Sequence, residues 1–274
     1  MIVVTGASSG IGAAAAVELA RRGGTVVPVG RDARRLARVA ARIESAGGTS
    51  AEPLRADFAS LDDVRRLAAE LLDRHERIDV LVNNAGTYSR RRDLTEDGHE
   101  STFAVNHLAP FLLTNLLLDR LRGFAPARVV VTSSEAHRSG VIDFDDLEME
   151  RGWSGPRAYA NSKLANVLFT RALARRLDGE GVVANCFHPG VVATRLVRGG
   201  LSSVAWAGVR VLGRRPRSGA DTLVYLAHSL EAADITGQYL IDRRPSQLLG
   251  QAADDDAAEL LWETSESLVG LRAE

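Results

Sequence analysis

Short apolar segments alternate with longer amphipathic segments along most of the chain. The short ones are continuously apolar, as in strands buried on both sides, and five of the longer ones have helical spacing of apolar positions. This alternation predicts βαβ units and therefore an α/β fold with a doubly wound, mainly parallel sheet and helices on both faces. The strand candidates are Ile2–Thr5, Thr25–Val29, Ser50–Arg55, Asp79–Val82, Arg128–Thr132, Val182–Phe187 and Gln238–Ile241, and the helix candidates are Ile11–Arg22, Ala33–Ser45, Leu61–Arg74, His99–Leu121 and Ala158–Leu177.

The connections between these elements place a ligand crevice at the carboxyl ends of the strands, because crossovers between parallel strands are right-handed. No linker or internal repeat divides the sequence, so we expect residues 1–274 to form a single domain. Residues 138–157 and 192–217 emerge at this edge and carry large apolar side chains. They are expected to be substrate-side loops, with cover for the core as the alternative. The acidic run Asp254–Asp256 predicts the start of a C-terminal helix within residues 252–271.

The composition excludes several classes of protein. Of the 274 residues, 45% are hydrophobic and 25% are charged, and the formal net charge is −1, so nothing indicates a nucleic-acid partner. No apolar run reaches the ~18 residues of a membrane span, and Met1–Gly6 lacks the features of a secretory signal. The predicted location is the cytoplasm, with no membrane span. No metal is expected, because no Cys/His cluster has ligand spacing.

A glycine-rich turn follows the first predicted strand and precedes the first predicted helix. Glycine lets the backbone turn tightly and approach a phosphate, and a helix start supplies free N–H groups and a positive dipole end. The spacing is Gly-x3-Gly-x-Gly, and glycines alone would also suit a structural turn. The strand-before, helix-after context favours a site for the pyrophosphate of a dinucleotide, formed by Gly6, Ser8, Ser9, Gly10, Ile11 and Gly12.

The end of the second predicted strand bears on which dinucleotide is bound. A carboxylate at this position would hold the free ribose 2′-hydroxyl of NAD and repel a 2′-phosphate. The chain has Arg31 there, and a guanidinium suits a phosphate, so NADP(H) is favoured and NAD(H) stays possible. The alternative is that Arg31 is one surface arginine among many, because all but one of the 34 basic residues are arginine.

The single lysine, Lys163, lies four residues after Tyr159 in a predicted helix, so the two side chains share one face. A phenol is a poor base at neutral pH, but a neighbouring ammonium favours the phenolate and lowers the pKa of the tyrosine. Such a tyrosine can exchange a proton with a substrate oxygen. The pair therefore predicts acid/base chemistry, although an ordinary surface pair would have the same spacing.

Further motifs occur in a fixed order along residues 1–245. They are Thr5–Gly12, Asp57, Asn83–Gly86, Asn106, Ser133-Ser134, Tyr159 with Lys163, and Pro189-Gly190. Together they resemble the short-chain dehydrogenase/reductase family, and residues 106–111, 159–166 and 188–190 are similar to its retinol-dehydrogenase-like branch. The resemblance implies a Rossmann-type fold with a mainly parallel sheet of seven strands.

The resemblance also implies a role for each matching residue. Tyr159 is the expected general acid/base, and Lys163 is expected to hold the nicotinamide ribose and lower the tyrosine pKa. Ser134 is expected to orient the reacting oxygen, with Ser133 as its rival for that role. Asn106 is expected to support a water that links Lys163 to solvent. Further cofactor contacts are implied for Asp57, Phe58, Asn83, Ala85, Gly86, Pro189, Gly190, Val192 and Thr194.

The activity that the resemblance implies is hydride transfer between nicotinamide and a carbonyl/alcohol pair on a hydrophobic small molecule. A homodimer or homotetramer is expected, because helices matching His99–Leu121 and Ala158–Leu177 commonly form subunit contacts in the family. The alternatives are the same chemistry with NAD and a non-catalytic nucleotide-sensing protein on the same fold. The last is disfavoured, because a protein that only binds a nucleotide needs no acid/base group.

Overall fold

The computed structural model describes residues 1–190 and 216–271, which form a central sheet with helices on both sides. Every predicted strand is present, and the predicted strand Ser50–Arg55 corresponds to two short ones. The strands are β1 (Ile2–Val4), β2 (Thr25–Gly30), β3 (Thr49–Ser50), β4 (Leu54–Arg55), β5 (Val80–Asn83), β6 (Ala127–Thr132), β7 (Val182–His188), β8 (Tyr239–Ile241) and β9 (Arg244–Pro245).

The sheet has the order β3-β2-β1-β5-β6-β7-β8-β9, and β4 pairs with the end of β2. All neighbours are parallel except β8 and β9. If the short strands β3 and β4 are counted together as one strand, the sheet has the seven parallel strands that were expected. β9 is an additional short antiparallel strand. The strand order reverses between β1 and β5, which is the point where doubly wound sheets bind ligands.

Helices connect the strands, and two of them have clear start signals. The side chains of Asp32 and Ser60 cap the helices Ala33–Ser45 and Leu61–Arg74 by accepting from backbone N–H groups in their first turns. The predicted helix His99–Leu121 begins at Ser101 and contains a π-helical turn at Ala104–Leu108. The helices are α1 (Gly10–Arg21), α2 (Ala33–Ser45), α3 (Leu61–Arg74), α4 (Ser101–Gly123), α5 (Gly155–Arg176), α6 (Pro216–Gly219), α7 (Asp221–His228) and α8 (Asp255–Leu268).

Successive residues of the central strands enter two separate apolar cores. In β1, Val3 packs in the core that includes Leu67 of α3 and Phe111 of α4. Its neighbour Val4 packs in the core that includes Leu19 of α1. Because side chains alternate along a strand, a continuously apolar strand can bury both faces. The continuously apolar strands therefore correctly predicted that helices cover both faces of the sheet.

The C-terminal helix α8 covers α4 and α5 of its own chain. Trp262 is 4% exposed, and its ring lies 4.9 Å from that of Phe111 and 5.9 Å from that of Phe169. The guanidinium of Arg176 lies over the same indole at 4.1 Å. These two helices were expected to form subunit contacts, but α8 buries their aromatic residues. The homodimer or homotetramer stays a prediction.

Helix α4 is, in the described part of the chain, the one helix whose length and composition would allow it to cross a membrane. However, 78% of its most apolar window is buried inside the protein. Burial against the sheet and neighbouring helices is what the core helix of an α/β fold requires, so the apolar composition of α4 has a structural explanation.

Residues 138–157, predicted as a substrate-side loop, pack largely against the core. Phe144 and Leu147 contact the apolar core, and Met149 is 5% exposed. The indole N–H of Trp153 donates to the carboxylate of Glu100 at 3.3 Å. The large side chains of this loop therefore pack on the core, and its role as a substrate-side loop stays a prediction. In the second predicted loop, residues 192–215 lie outside the described residues.

Candidate active site

A cavity of about 530 Å³ lies at the carboxyl ends of the central strands. It extends from the glycine turn after β1, past the ends of β2 and β5, to helix α5. This volume is in the range of small-molecule sites. The predicted residues in its wall are Gly6, Ser8, Ser9, Gly10, Ile11, Gly12, Arg31, Asp57, Phe58, Ala85, Gly86, Tyr159, Lys163 and Pro189.

The glycine turn has the geometry of an anion site. Gly6 and Gly10 have φ values of +65° and +59°, which favour glycine. A Cβ on Gly6 would also lie 2.8 Å from the Cα of Ala85, so the turn packs tightly against the segment after β5. Helix α1 starts with no acidic residue in its first turn and no side-chain cap from Ser9. Its first N–H groups and positive dipole end therefore face the cavity without a competing side-chain acceptor.

Asn84 fastens the glycine turn to the end of β5. Its amide Nδ2 donates to the Thr5 carbonyl at 2.9 Å, and its backbone N–H donates to the Thr5 hydroxyl at 2.9 Å. The side chain of Asn83 instead donates to Thr114 of α4 at 2.8 Å and does not line the cavity. Of this pair, only Asn84 lines the cavity, although Asn83 was the named contact of the predicted run Asn83–Gly86.

Two arginines lie at the outer end of the cavity, next to β2. The side chain of Arg31 is 68% exposed, and its guanidinium lies 3.8 Å from the carboxylate of Asp57. Arg35, which was not predicted, lines the same end and pairs with Asp32 at 2.8 Å. Asp32 also caps α2 by accepting from the backbone N–H of Arg35 at 3.1 Å. The carboxylates of Asp32 and Asp57 are thus each paired with an arginine, and the exposed Arg31 guanidinium borders the cavity.

Tyr159 and Lys163 lie at the inner end of the cavity on consecutive turns of α5. The Lys163 Nζ is 5.5 Å from the centre of the Tyr159 ring and donates to the Thr132 carbonyl at 3.1 Å. The side chain of Ser134 lies near the Tyr159 hydroxyl, where it lowers the pKa of the phenol, and its oxygen accepts from the Ala136 N–H at 3.2 Å. The end of β6 and the start of α5 therefore bring together a phenol, an ammonium and a hydroxyl, as the motifs predicted.

Burial dominates the protonation of this pair. It raises the pKa of Tyr159 to about 12, which the opposing effect of the nearby Ser134 side chain only partly offsets. It lowers the pKa of Lys163 to about 8. The tyrosine pKa is therefore shifted in the direction opposite to the predicted one, because desolvation penalises the phenolate and the ammonium donates to Thr132 rather than to the phenol. At neutral pH the phenol is protonated and the lysine is mainly charged.

Asn106 lies behind this pair, in the π-helical turn of α4. Its Oδ1 accepts from the Thr87 N–H at 2.7 Å, and its Nδ2 donates to the Thr87 carbonyl at 3.0 Å and to Ser162 at 2.9 Å. A Cβ on Gly86 would lie 3.3 Å from Asn106 Oδ1 and 3.7 Å from Lys163 Nζ, so the glycine keeps space between them. π-Helical turns often occur at functional sites, and here the turn positions Asn106.

The remaining predicted residues divide into three groups. Pro189 lines the cavity, and Gly190, with φ +79°, ends the first described range. Val192 and Thr194 lie outside the described residues. Ser133, the rival of Ser134, turns its hydroxyl to the backbone of α5.

Within residues 1–190 and 216–271, no group of three His, Cys, Asp or Glu residues could hold a metal ion.

Several residues of the cavity wall were not predicted. Thr87 and Tyr88 directly follow the predicted run Asn83–Gly86, and Arg35 lies four residues after Arg31. The signal that could have found them was their nearness in sequence to predicted residues. The unpredicted residues are Gly30, Asp32, Arg35, Ala56, Thr87, Tyr88, Val105 and Thr132, whereas Asn84 belongs to the predicted run and Ser133 was the alternative to Ser134.

Comparison with known proteins adds independent evidence. The family model described as short chain dehydrogenase matches residues 1–202. The chain is 41% identical to retinol dehydrogenase 14 of Mus musculus, over 98% of this chain and 86% of that protein. It is 43% identical to retinol dehydrogenase 13 of Homo sapiens, over 99% of this chain and 85% of that protein. Among solved structures, it is similar to a short chain dehydrogenase from Burkholderia cenocepacia in complex with NADP, with a TM-score of 0.71 and 28% identity over 87% of this chain and 94% of that chain.

Proposed function

The chain belongs to the short-chain dehydrogenase family of nicotinamide-dependent oxidoreductases, and from this premise we propose which reaction it carries out. The proposed reaction is NADP(H)-dependent interconversion of a carbonyl and an alcohol on a hydrophobic small molecule, with Tyr159 as the general acid/base. The observation that carries the proposal is the meeting of Tyr159 and Lys163 at the inner end of a cavity that begins at the glycine turn, with the side chain of Ser134 near the phenol.

The cavity wall fits a nicotinamide dinucleotide along its length. The glycine turn and the start of α1 suit the pyrophosphate, because they offer backbone N–H groups without side chains in the way. Arg31 and Asp57 border the end that suits the adenosine half, and Gly86 and Lys163 the end that suits the nicotinamide half. When bound, the cofactor supplies or accepts the hydride, while the protein places the groups and moves the proton.

Proton transfer is assigned to Tyr159. Its pKa of about 12 keeps the phenol protonated at neutral pH, so it can donate to a carbonyl oxygen that gains negative charge during reduction. We assign Ser134, whose side chain lies near this phenol, to donate to the same oxygen. Lys163 has three N–H donors, of which the contact with Thr132 needs one. The other two N–H donors of Lys163 suit the hydroxyls of a ribose.

The preference for NADP(H) is supported by the charge at the end of β2. Arg31 and Arg35 both line this end, and a guanidinium recognises phosphate well. Asp32 and Asp57 line it too, and a free carboxylate there would favour the ribose of NAD, which keeps NAD as the alternative. Each is paired with an arginine, however. The similar Burkholderia enzyme was solved with NADP.

The hydrophobic substrate is supported by the names of the relatives. Two of them are called retinol dehydrogenases, and retinol is an apolar alcohol. This supports a carbonyl or alcohol attached to an apolar body as the substrate class of this chain.

The test is the variant Tyr159→Phe, which removes only the phenolic oxygen. We expect NADPH binding, measured by fluorescence titration, to be retained, and carbonyl reduction to fall by about 10²-fold or more, as when a positioned acid/base is lost. Tyr225→Phe, on α7 and away from the cavity, is the matched control. Unchanged turnover in Tyr159→Phe would reject the assignment. A wild type that binds NADPH but reduces no aldehyde or ketone would favour the nucleotide-sensing alternative.

A further inference from the structure

A second tyrosine, Tyr88, stands beside the proposed acid/base in the same cavity. Its ring centre lies 5.9 Å from that of Tyr159, with the two ring planes tilted by 55°. This separation is a direct aromatic contact, within the 4.5–7 Å range of interacting rings. Both residues belong to the cavity wall, so the Tyr88 ring closes the site on one side of Tyr159.

The loop that carries Tyr88 is held from its N-terminal side by Asn106. The preceding residue, Thr87, donates its N–H to Asn106 at 2.7 Å and accepts from it at 3.0 Å. Asn106 is itself fully buried. Two hydrogen bonds to one buried amide fix the position and direction of the loop next to Tyr88, which limits where the ring can go.

The hydroxyl end of Tyr88 packs against the start of α5. A Cβ on Gly155 would lie 3.0 Å from the Tyr88 hydroxyl oxygen and would clash with the carbonyl of Ser89. Gly155 therefore lets the loop pack directly on the helix that carries Tyr159, four residues further on. The hydroxyl of Tyr88 faces this backbone, so the ring forms an apolar wall for the site.

We propose, on the basis of the proposed function, that Tyr88 determines substrate specificity by limiting one of the two groups on the reacting carbonyl carbon. A carbonyl whose oxygen meets the Tyr159 hydroxyl has one substituent on the Tyr88 side. Since the two rings are in contact, no chain fits between them. The favoured substrates are aldehydes and methyl ketones, in which that substituent is a hydrogen or a methyl group, and the larger apolar group extends in the other direction.

The test uses a graded series of aryl carbonyls, namely benzaldehyde, acetophenone, propiophenone and butyrophenone, each reduced with NADPH. In the wild type, kcat/KM should fall by about tenfold or more between acetophenone and butyrophenone, as expected when an added methylene meets a wall. Tyr88→Ala should reduce that ratio by about tenfold, mainly by raising kcat/KM for the longer ketones. Tyr88→Phe, which keeps the ring, should retain the wild-type ratio.

Controls separate a change in specificity from a general loss of activity. Tyr225→Ala makes the same truncation away from the cavity and should leave the ratio unchanged. NADPH affinity, measured by titration, should be the same in all the proteins. If Tyr88→Ala does not fold, Tyr88→Trp serves instead and should lower activity on acetophenone more than on benzaldehyde. An active wild type whose ratio is unchanged in both Tyr88→Ala and Tyr88→Trp would overturn this inference alone. A wild type inactive on the whole series would overturn the proposed function as well.

Discussion

The hydroxyl of Ser133 donates a hydrogen bond to the backbone carbonyl of Lys163 at 2.8 Å. Ser133 is 1% exposed, so this hydroxyl is sealed between the end of β6 and helix α5. The hydroxyl of the next residue, Ser134, instead accepts from the Ala136 N–H at 3.2 Å and lies near the Tyr159 phenol. Two adjacent serines therefore have different tasks, because consecutive side chains in extended backbone point in opposite directions.

The two serines should respond differently to removal of their hydroxyls. Ser134→Ala should lower kcat by about 10²-fold with little effect on stability, since it removes a donor aimed at the reacting oxygen. Ser133→Ala should retain most of the turnover but lower the free energy of unfolding by about 1 kcal/mol, the usual contribution of an internal hydrogen bond. Steady-state kinetics and chemical unfolding measure the two effects. A larger kcat loss in Ser133→Ala than in Ser134→Ala would reverse the assignment.

The arginines at the end of β2 should control the choice of cofactor. Arg31→Ala and Arg35→Ala should each weaken NADPH binding by about tenfold and leave NADH binding nearly unchanged, because each removes a charged partner for a 2′-phosphate at an exposed site. Arg34→Ala is the matched control, since Arg34 is next to Arg35 on helix α2 but does not line the cavity. Titration with NADPH and with NADH gives the ratio of the two dissociation constants for each protein. A wild type that binds NADH more tightly than NADPH would contradict the preference.

Much of the fold and of the site followed from local pattern. Apolar runs located the strands, because strands buried on both faces need apolar residues at every position. The spacing of Tyr159 and Lys163 predicted their shared helix face, because i and i+4 positions are neighbours on a helix. The glycine turn was predicted because the positive φ at Gly6 is a local backbone requirement.

The features that were missed depend on tertiary contacts. Nothing local in the sequence shows that Asn84, and not Asn83, turns into the cavity, because this is decided by the exact end of β5. The tyrosine pKa was predicted in the wrong direction, because the extent of burial is set by the whole fold. The covering of α4 and α5 by α8 joins segments more than 80 residues apart, as in the contact between Arg176 and Glu259.

His107, next to Asn106 in the π-helical turn, makes a separate prediction about stability. Its side chain is fully buried beside the ring of Phe103, and its Nε2 is 2.8 Å from the hydroxyl of Ser265 on α8. Burial lowers its pKa from 6.5 to about 3, with a smaller opposing effect from Asn166. The unfolded chain therefore binds a proton that the folded protein excludes. The associated stability is complete above pH 6.5 and is lost as the pH falls toward 3.

Replacing this histidine should therefore change how stability depends on pH. His107→Gln should be less stable than the wild type at pH 7, because it disturbs a buried contact, but this difference should shrink by about 2 kcal/mol at pH 5. The reason is that, at pH 5, only the wild type must release a proton from this imidazole in order to fold. Urea unfolding at pH 7 and pH 5 measures the change, and His228→Gln, at an exposed position on α7, is the control that should match the wild type at both. A difference between His107→Gln and the wild type that is the same at both pH values would show that His107 takes up its proton in the folded protein as readily as in the unfolded chain.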